Sequence, residues 1–450
     1  MGRLFGTDGV RGIANTELSC ELAYSLGRAG AYILTKKTKT APRILVAMDT
    51  RISGDMLESA LCAGICSVGA HALLAGVMPT PAVAFSVRKH KLDAGIMISA
   101  SHNPAEYNGI KFFDGDGFKL PDELENEIEE IILDGGLSAL PSPTGGYVGK
   151  KELFFEASAD YAEFLKASSR PLNGIKAVLD CSNGAAYKIA PEVFSGLGAS
   201  VYIINNKPDG ININDGCGST HIDGLKKHVL ETGADIGLAF DGDADRCLAV
   251  DENGNDIDGD KILSICGIHM KKNGLLKKDT IVGTVMSNMG FFIMGRNNGI
   301  NIESANVGDR YVLELMLKNG YNLGGEQSGH IIFLDHNTTG DGILTGIKLL
   351  NVLKECGGKA SKLAGCMDIL PQVLVNAVVT NETKNKYTEF EKINSAISAL
   401  SKKYESNGRV LIRTSGTEPL VRVMIEGMDK EEITKDAHEL ALLIEKELLK

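Results

Sequence analysis

The run ISASHNPAEYNGIKFF, residues 98–113, sets Ser101 in a small polar turn between two apolar stretches, and a serine so placed is a candidate covalent nucleophile. The stretch AGIMISA before it reads as a buried strand ending at a loop, the place where α/β sheets bind ligands. His102 and Asn103 offer hydrogen bonds, Pro104 and Gly109 shape the turn, and Lys111 stands in the next apolar run, GIKFF. An ordinary strand-to-loop junction has the same composition, and the glycines of a G-x-S-x-G elbow are missing.

In GLAFDGDADRCLAVDENG, Asp241, Asp243 and Asp245 alternate with Gly242 and Ala244 between two apolar runs. Carboxylates so crowded repel unless a cation neutralises them, and oxygen-only ligands select a hard ion such as Mg²⁺ with positions left open for water or phosphate. An EF-hand would use Asp241, Asp243, Asp245 and Glu252 at loop positions one, three, five and twelve. Position six is Arg246 where that turn needs glycine, and the flanks GLAF and CLAV read as strands. A solvated acidic turn without metal is the other reading.

Two further loops carry usable chemistry. GGEQSGHIIF holds Glu326, Gln327, Ser328 and His330, side chains that suit sugar hydroxyls or, equally, a hairpin turn facing water. RVLIRTSGTEPLVRVMIEG sets Arg413, Thr414, Ser415, Gly416 and Thr417 between two strands, with Arg422 on the second. Guanidiniums, hydroxyls and a glycine-opened backbone make an anion cradle, the alternative being a solvated hairpin tip.

The elements that must position these loops repeat. PRILVAMDTR from Pro42, GIKAVLDCSNGA from Gly174 and DTIVGTVMSNMG from Asp279 each read as strand, polar turn and helix. A second strand follows each (GAHALLAG, GASVYIIN, GINIESAN), then a third (LDAGIMIS, ADIGLAF, YNLGGE) that ends at SASHNP, DGDADR or EQSGH. The expected fold class is therefore α/β, three similar domains with mixed sheets, plus a smaller C-terminal α+β domain containing VNAVVT, a helix from about Lys386 to Ser406, the Arg413 hairpin and a final helix. The expected domains are residues 1–150, 151–255, 256–368 and 369–450.

With 450 residues, 43% of them hydrophobic, the chain has ample material for several cores. A net charge of −11 argues against a nucleic-acid or membrane-surface binder, so any anion recognition must be local. Nine cysteines lie scattered without a C-x-x-C pair, and Cys62 and Cys66 share helical spacing in an apolar stretch, which fits core packing in a reducing compartment. No signal peptide or membrane-length apolar run is present, and Gly6 stands where a myristoylation signal wants Ser or Thr, so the expected location is the cytoplasm.

Taken in order, FGTDGVRG at Phe5, ISASHNP, FDGDADR, GEQSGH and RTSGTEP resemble the α-D-phosphohexomutase family across essentially the whole chain. GTDGVRG, VGDRYV at residues 307–312, GEQSGH and NTTGDG at Asn337 are most similar to its bacterial amino-sugar branch; the phosphomannomutase and phosphoglucomutase branch more often has methionine where Gln327 stands. The resemblance implies an isomerase that interconverts glucosamine 6-phosphate and glucosamine 1-phosphate through a phosphoserine and a 1,6-bisphosphate, feeding peptidoglycan precursors. It implies that Ser101 is phosphorylated, that Asp241, Asp243, Asp245 and a phosphoserine oxygen hold one Mg²⁺ per chain, and that Lys111 and His330 transfer protons. Arg11, His102 and Arg246 would line the reaction centre. Glu326 and Ser328 would grip sugar hydroxyls, Gln327 and the loop of Asp309 and Arg310 would meet the C2 group, and Arg413, Ser415, Gly416, Thr417 and Arg422 would hold the non-reacting phosphate. Glucosamine or glucose 1,6-bisphosphate is the implied activator, small sugar phosphates the partners and a homodimer the assembly. Ala244 departs from the family glycine and leaves the three carboxylates intact. Lys111 suits a base only where burial or neighbouring cations lower its pKa. The rivals are the other sugar branches of the same fold and a non-enzymatic divalent-cation-binding protein.

Overall fold

A computed structural model describes every residue except 1, 2, 7, 37, 39, 40, 406, 416, 417 and 450. The chain divides into two compact units, Met1–Met286 with Ile300–Cys366, and Ser287–Gly299 with Met367–Lys450.

The first unit contains three mixed sheets built on one plan. In each, a central strand (Arg43–Met48, Lys176–Asp180 or Thr280–Thr284) pairs in parallel with a second strand on one side (His71–Val77, Ser200–Ile204 or Asn301–Ala305). A third strand (Ala94–Ile98, Ile236–Phe240 or Leu323–Gly325) pairs in parallel on the other side. The chain then turns back antiparallel as Tyr107–Phe113, Cys247–Asp251 or Ile331–Phe333. The repetition read from the sequence is therefore real in strand order. SASHNP, DGDADR and EQSGH all occupy the same connection, at the carboxyl end of the strand beside the central one, where such sheets place ligands.

Burial follows from composition. Ala94–Ile98 and Ile236–Phe240 are buried along their whole length, as strands covered on both faces require. In the first sheet's layer, helices Cys20–Thr35 and Gly54–Ser67 meet backbone to backbone, since a Cβ at Gly64 would stand 2.1 Å from the Tyr24 carbonyl oxygen. The strands on either side of DGDADR form a hairpin, which disposes of the EF-hand.

The second unit carries an antiparallel sheet in the order Gln372–Val378, Leu420–Glu426, Arg409–Thr414. Val421, Val423 and Ile425 pack with Ile433, Leu440 and Ile444 of helix Lys430–Leu448 in its core. The helix expected from about Lys386 spans only Glu391–Lys403. A 3₁₀ turn, Lys384–Glu389, precedes it, and Phe390 is extended between the two (φ −97°, ψ 114°), so the helical run cannot pass through. Ser406 lies outside the described residues. Helix Met289–Asn298, which follows the third central strand as expected, belongs to this unit. All nine cysteines are free, and among the described residues no helix is long and apolar enough to cross a membrane.

Candidate active site

The strand Ala94–Ile98 delivers a buried Ser101 into a loop that is tied down from several sides. Ser99 Oγ donates to Asp49 Oδ2 (2.6 Å) and accepts from the Ser101 N–H (2.9 Å). The fully buried Arg51 guanidinium pairs with Asp49 (2.9 Å) and donates to the carbonyls of Ser101 (3.1 Å), Asn103 (2.8 Å), Tyr107 (2.9 Å) and Pro104. Asn214 Nδ2 adds bonds to the Ser101 and Asn103 carbonyls at 2.9 and 3.0 Å. These contacts hold Ser101 at φ +52°, a left-handed conformation that costs a non-glycine residue about 1–2 kcal/mol. Its Oγ points at Asp241 Oδ2, 2.7 Å away, with His102 Nδ1 at 3.4 Å.

The three aspartates of DGDADR are buried, and one oxygen of each lies within 4.8 Å of the others. Asp243 Oδ2 accepts from Thr80 Oγ1 (2.6 Å) and Lys111 Nζ (2.7 Å), while Asp241 Oδ1 accepts from the Arg246 N–H (3.1 Å). Asp243 Oδ1 and Asp245 Oδ1 are buried without a hydrogen-bond partner among the described residues. Burial, with the repulsion of Asp245 and Asp243, pushes Asp241 well above the usual carboxylate range. Orphaned oxygens and an acid driven toward protonation by its neighbours are the marks of a site that fits a hard divalent cation. Ala244 takes a left-handed conformation (φ +55°), which glycine adopts without strain, and the three carboxylates still converge.

Lys111 is buried between Asp243 and Asp8, whose Oδ2 lies 2.9 Å away. Burial alone would lower its pKa; Asp243, Asp8 and Asp245 outweigh burial and raise it above the ordinary lysine value. In this arrangement the neighbouring carboxylates favour the ammonium form of Lys111. Asp8 also pairs with Arg11 and with Lys119 Nζ (2.5 Å), and Lys119 bonds Asp309. His330 lies between Asp245 (Nδ1, 3.5 Å) and Asp309 (Nε2, 3.7 Å), with the Gly340 N–H donating to Nε2 at 3.1 Å. Burial lowers its pKa and the two aspartates raise it past its ordinary value. His102 is pushed the other way, by burial and by Arg246 and Arg11, against the pull of Asp243 and Asp245. Arg246 lies 3.9 Å from Asp245. The Cys247 N–H donates to the Gly329 carbonyl (3.0 Å), stitching the acidic loop to EQSGH.

In EQSGH, Glu326 accepts from the Gly308 N–H (3.1 Å), and Ser328 Oγ is buried with no partner among the described residues. Gln327 is engaged differently from the expected C2 contact: its amide donates to Asp258 (3.1 Å), the N-cap of helix Gly259–Lys272. Arg310 likewise turns to Asp122, Glu125 and Glu314, so Asp309 alone of that pair faces His330. In the second unit, Arg413 and Arg422 are direct cross-strand partners, both exposed. Like charges so opposed destabilise a sheet unless an anion lies between them. Arg422 touches Glu418 (3.0 Å), and the carbonyl of the buried Ser415 accepts from Lys384 Nζ (2.7 Å). Gly416 and Thr417 lie outside the described residues.

Asp8, Arg51, Lys119, Asn214 and Gly340 escaped the sequence reading as site residues. Asp8 and Gly340 stand inside quoted strings, FGTDGVRG and NTTGDG; Arg51 closes AMDTR; Lys119 and Asn214 carry no local signal.

Sequence models described as phosphoglucomutase/phosphomannomutase match four segments in order: alpha/beta/alpha domain I at residues 2–137, domain II at 157–254, domain III at 258–369 and the C-terminal domain at 374–443. The phosphoglucosamine mutase of Ruminiclostridium cellulolyticum is 61% identical over 446 residues, 99% of each chain. That of Acetivibrio thermocellus is 60% identical over the whole of both. Among solved structures, a phosphoglucomutase/phosphomannomutase family protein from Burkholderia thailandensis superposes with a TM-score of 0.82 at 24% identity, covering 98% of this chain and 97% of that one. Aspergillus fumigatus N-acetylphosphoglucosamine mutase in complex with GlcNAc-6P and magnesium gives a TM-score of 0.67 at 19% identity, covering 99% and 96%. With four family segments in order and relatives this similar over the full length, the chain belongs to the phosphoglucomutase/phosphomannomutase family, the α-D-phosphohexomutases.

Proposed function

We infer that this chain interconverts glucosamine 6-phosphate and glucosamine 1-phosphate through a phosphoserine at Ser101 and a 1,6-bisphosphate. The observation that carries the chemistry is Ser101 Oγ, fixed 2.7 Å from Asp241 beside two orphaned carboxylate oxygens. The sugar rests on relatives about 60% identical that bear the name phosphoglucosamine mutase.

Asp241, Asp243 and Asp245, with a phosphoserine oxygen, would hold Mg²⁺. When bound, the cation offsets charge on the transferring phosphoryl oxygens. In the first half-reaction the phosphoserine P–O bond breaks as the sugar O1 bonds to phosphorus, O1 loses its proton, and Ser101 Oγ recovers one. The Lys111 ammonium is ready to give a proton, and His330 is the group on the sugar-loop side that takes one. His102 and the cations Arg11 and Arg246 line the centre. The 1,6-bisphosphate then turns over, and Ser101 takes back the 6-phosphoryl group. Each of the four segments 1–150, 151–255, 256–368 and 369–450 supplies one loop to this cycle. Ser328, with its unpartnered buried hydroxyl, and Glu326 bind sugar hydroxyls. The opposed Arg413 and Arg422, with Ser415, Gly416 and Thr417, hold the phosphate that is not reacting. Glucosamine or glucose 1,6-bisphosphate primes Ser101, and the enzyme works as a cytoplasmic homodimer supplying peptidoglycan precursors.

The test is kcat/KM for glucosamine 6-phosphate, glucose 1-phosphate and mannose 1-phosphate side by side, with Mg²⁺ and a trace of hexose 1,6-bisphosphate. Preference for the amino sugar is expected; preference for glucose or mannose phosphate overturns the substrate. Ser101→Ala must abolish turnover while the protein stays folded, and retained turnover refutes the covalent route.

A further inference from the structure

The contacts around the site form a closed circuit of alternating charge. It runs from Lys111, which also holds Asp243 (2.7 Å), to Asp8 (2.9 Å), Lys119 (2.5 Å) and Asp309, then to His330 (3.7 Å) and Asp245 (3.5 Å). Lys111 closes it at 4.0 Å from Asp245. Lys119 is a ring member outside the nucleophile, acidic and sugar loops, and its hydrogen bonds go to Asp8 and Asp309. Its backbone is fixed by a bridge to Phe113, and the turn between is held by Asp114, which accepts from the Asp116 and Phe118 N–H groups. The ammonium is therefore presented at a set reach, mostly buried, between two carboxylates.

We propose that Lys119 is a positioning residue for phosphoryl transfer: it joins Asp8 to Asp309 and through them fixes Lys111 and His330, the two groups assigned to move protons. This rests on the reading under Proposed function. Remove the ammonium and Asp8 and Asp309 face each other as buried like charges. Asp309 then leaves His330, and Asp8 is left to Lys111 and Arg11. Substrate need not touch Lys119, so the loss belongs in the chemical step and not in ground-state binding.

The test compares kcat and KM of Lys119→Met, Lys119→Arg, Asp309→Asn and the Lys119→Met/Asp309→Asn double variant in the full chain. The assay uses whichever hexose phosphate the parent turns over, so a wrong sugar assignment leaves this comparison intact. Lys119→Met should lower kcat about 10–100-fold, the usual effect of deleting an outer partner, with KM changed less than about threefold. Lys119→Arg, whose fork can span both carboxylates, should recover most of it. The double variant should be no worse than the poorer single one, because the two residues act as a unit. An unchanged kcat in folded Lys119→Met, a loss confined to KM, an arginine variant no better than methionine, or additive losses each overturn the proposal. If Lys119→Met does not fold, Asp309→Asn, which leaves Lys119 paired with Asp8, decides: reduced kcat supports the role and unchanged kcat removes it.

Discussion

Gly340→Ala isolates the placement of His330. Gly340 has no left-handed backbone, so alanine is allowed there and the effect is steric. The added Cβ would lie 2.5 Å from His330 Cε1 and Nε2 and 2.6 Å from Cδ2, where contact between such atoms settles near 3.5 Å or more, so the ring or the loop must give by about 1 Å. The loop is pinned on both sides: Thr338 Oγ1 donates to the Gly117 carbonyl, the Asp341 N–H to Ile331 (3.2 Å) and the Gly342 N–H to Ala244 (3.0 Å). The ring therefore yields, away from Gly340 and out of register with Asp245 and Asp309. A displacement near 1 Å costs about 100-fold in rate where geometry matters, and overpacking a buried site costs about 1–3 kcal/mol of stability. We expect kcat to fall by about that factor while KM moves little, with a lower thermal midpoint, in steady-state assays and a melting curve on the same preparation. A melting curve that drops while kcat stays within about threefold of the parent would refute the reasoning, because the ring would have moved without consequence for the chemistry.

Arg51→Met leaves Asp49 buried and unpaired and strips four loop carbonyls of a donor, so urea unfolding should show a loss of about 3–5 kcal/mol; less than about 1 kcal/mol contradicts the role given to Arg51. Chelation should stop turnover, and Mg²⁺ titrated into chelated protein should raise the thermal midpoint with the logarithm of its concentration; a flat midpoint refutes the cation site. Burial raises Asp341 to about 6, against hydrogen bonds from Leu344, Tyr161 and Asn337 that favour the ion. Between pH about 4 and 6 the folded chain thus keeps a proton the unfolded chain has released, and its share of stability falls as pH rises, levelling above 6. Asp341→Asn should remove that share of the slope, and an unaltered slope in pH-dependent unfolding contradicts it.

The fold was legible because its signals are local. Continuous apolar runs such as GIMI and GLAF mark strands buried on both faces, and the turn residues after them mark the loops. Repetition of the pattern exposed the common position of SASHNP, DGDADR and EQSGH. Ser101 and the aspartate triplet were readable for the same reason, being clustered in sequence. Lys119 and Asn214 were not, since each acts on a loop about a hundred residues or more away, Asp8 or Asp309 in one case and the Ser101 carbonyl in the other. Gln327 and Arg310 show the converse. Their types suit a sugar, but Asp258 and Asp122, remote in sequence, claim them. The shortened helix at Glu391 turned on one extended residue, Phe390, whose side chain packs on the core of the second unit; helical periodicity cannot register that competition.

On the proposed function, the charges gathered at the site would tie the metal and the phosphoryl group to one another. Asp8, Asp241, Asp243, Asp245 and Asp309 stand against Arg11, Lys111, Lys119 and Arg246, with His330 lying between Asp245 and Asp309, so the protein's own groups are nearly balanced. A phosphoserine adds about two negative charges and a divalent cation two positive ones. Either alone breaks the balance of a buried site; both together restore it. Burial and the repulsion of Asp245 and Asp243 raise Asp241, while Asp243 and Asp245 have the cationic Lys111 beside them. By linkage, phosphorylation of Ser101 and binding of the cation would favour one another to the same extent, so dephosphorylated protein should bind Mg²⁺ more weakly. On the proposed function, Ser101 at the carboxyl end of one strand and the aspartates at the carboxyl end of its counterpart in the next sheet would be halves of a single anion–cation site, and the repeated topology gives both the same place in their sheets.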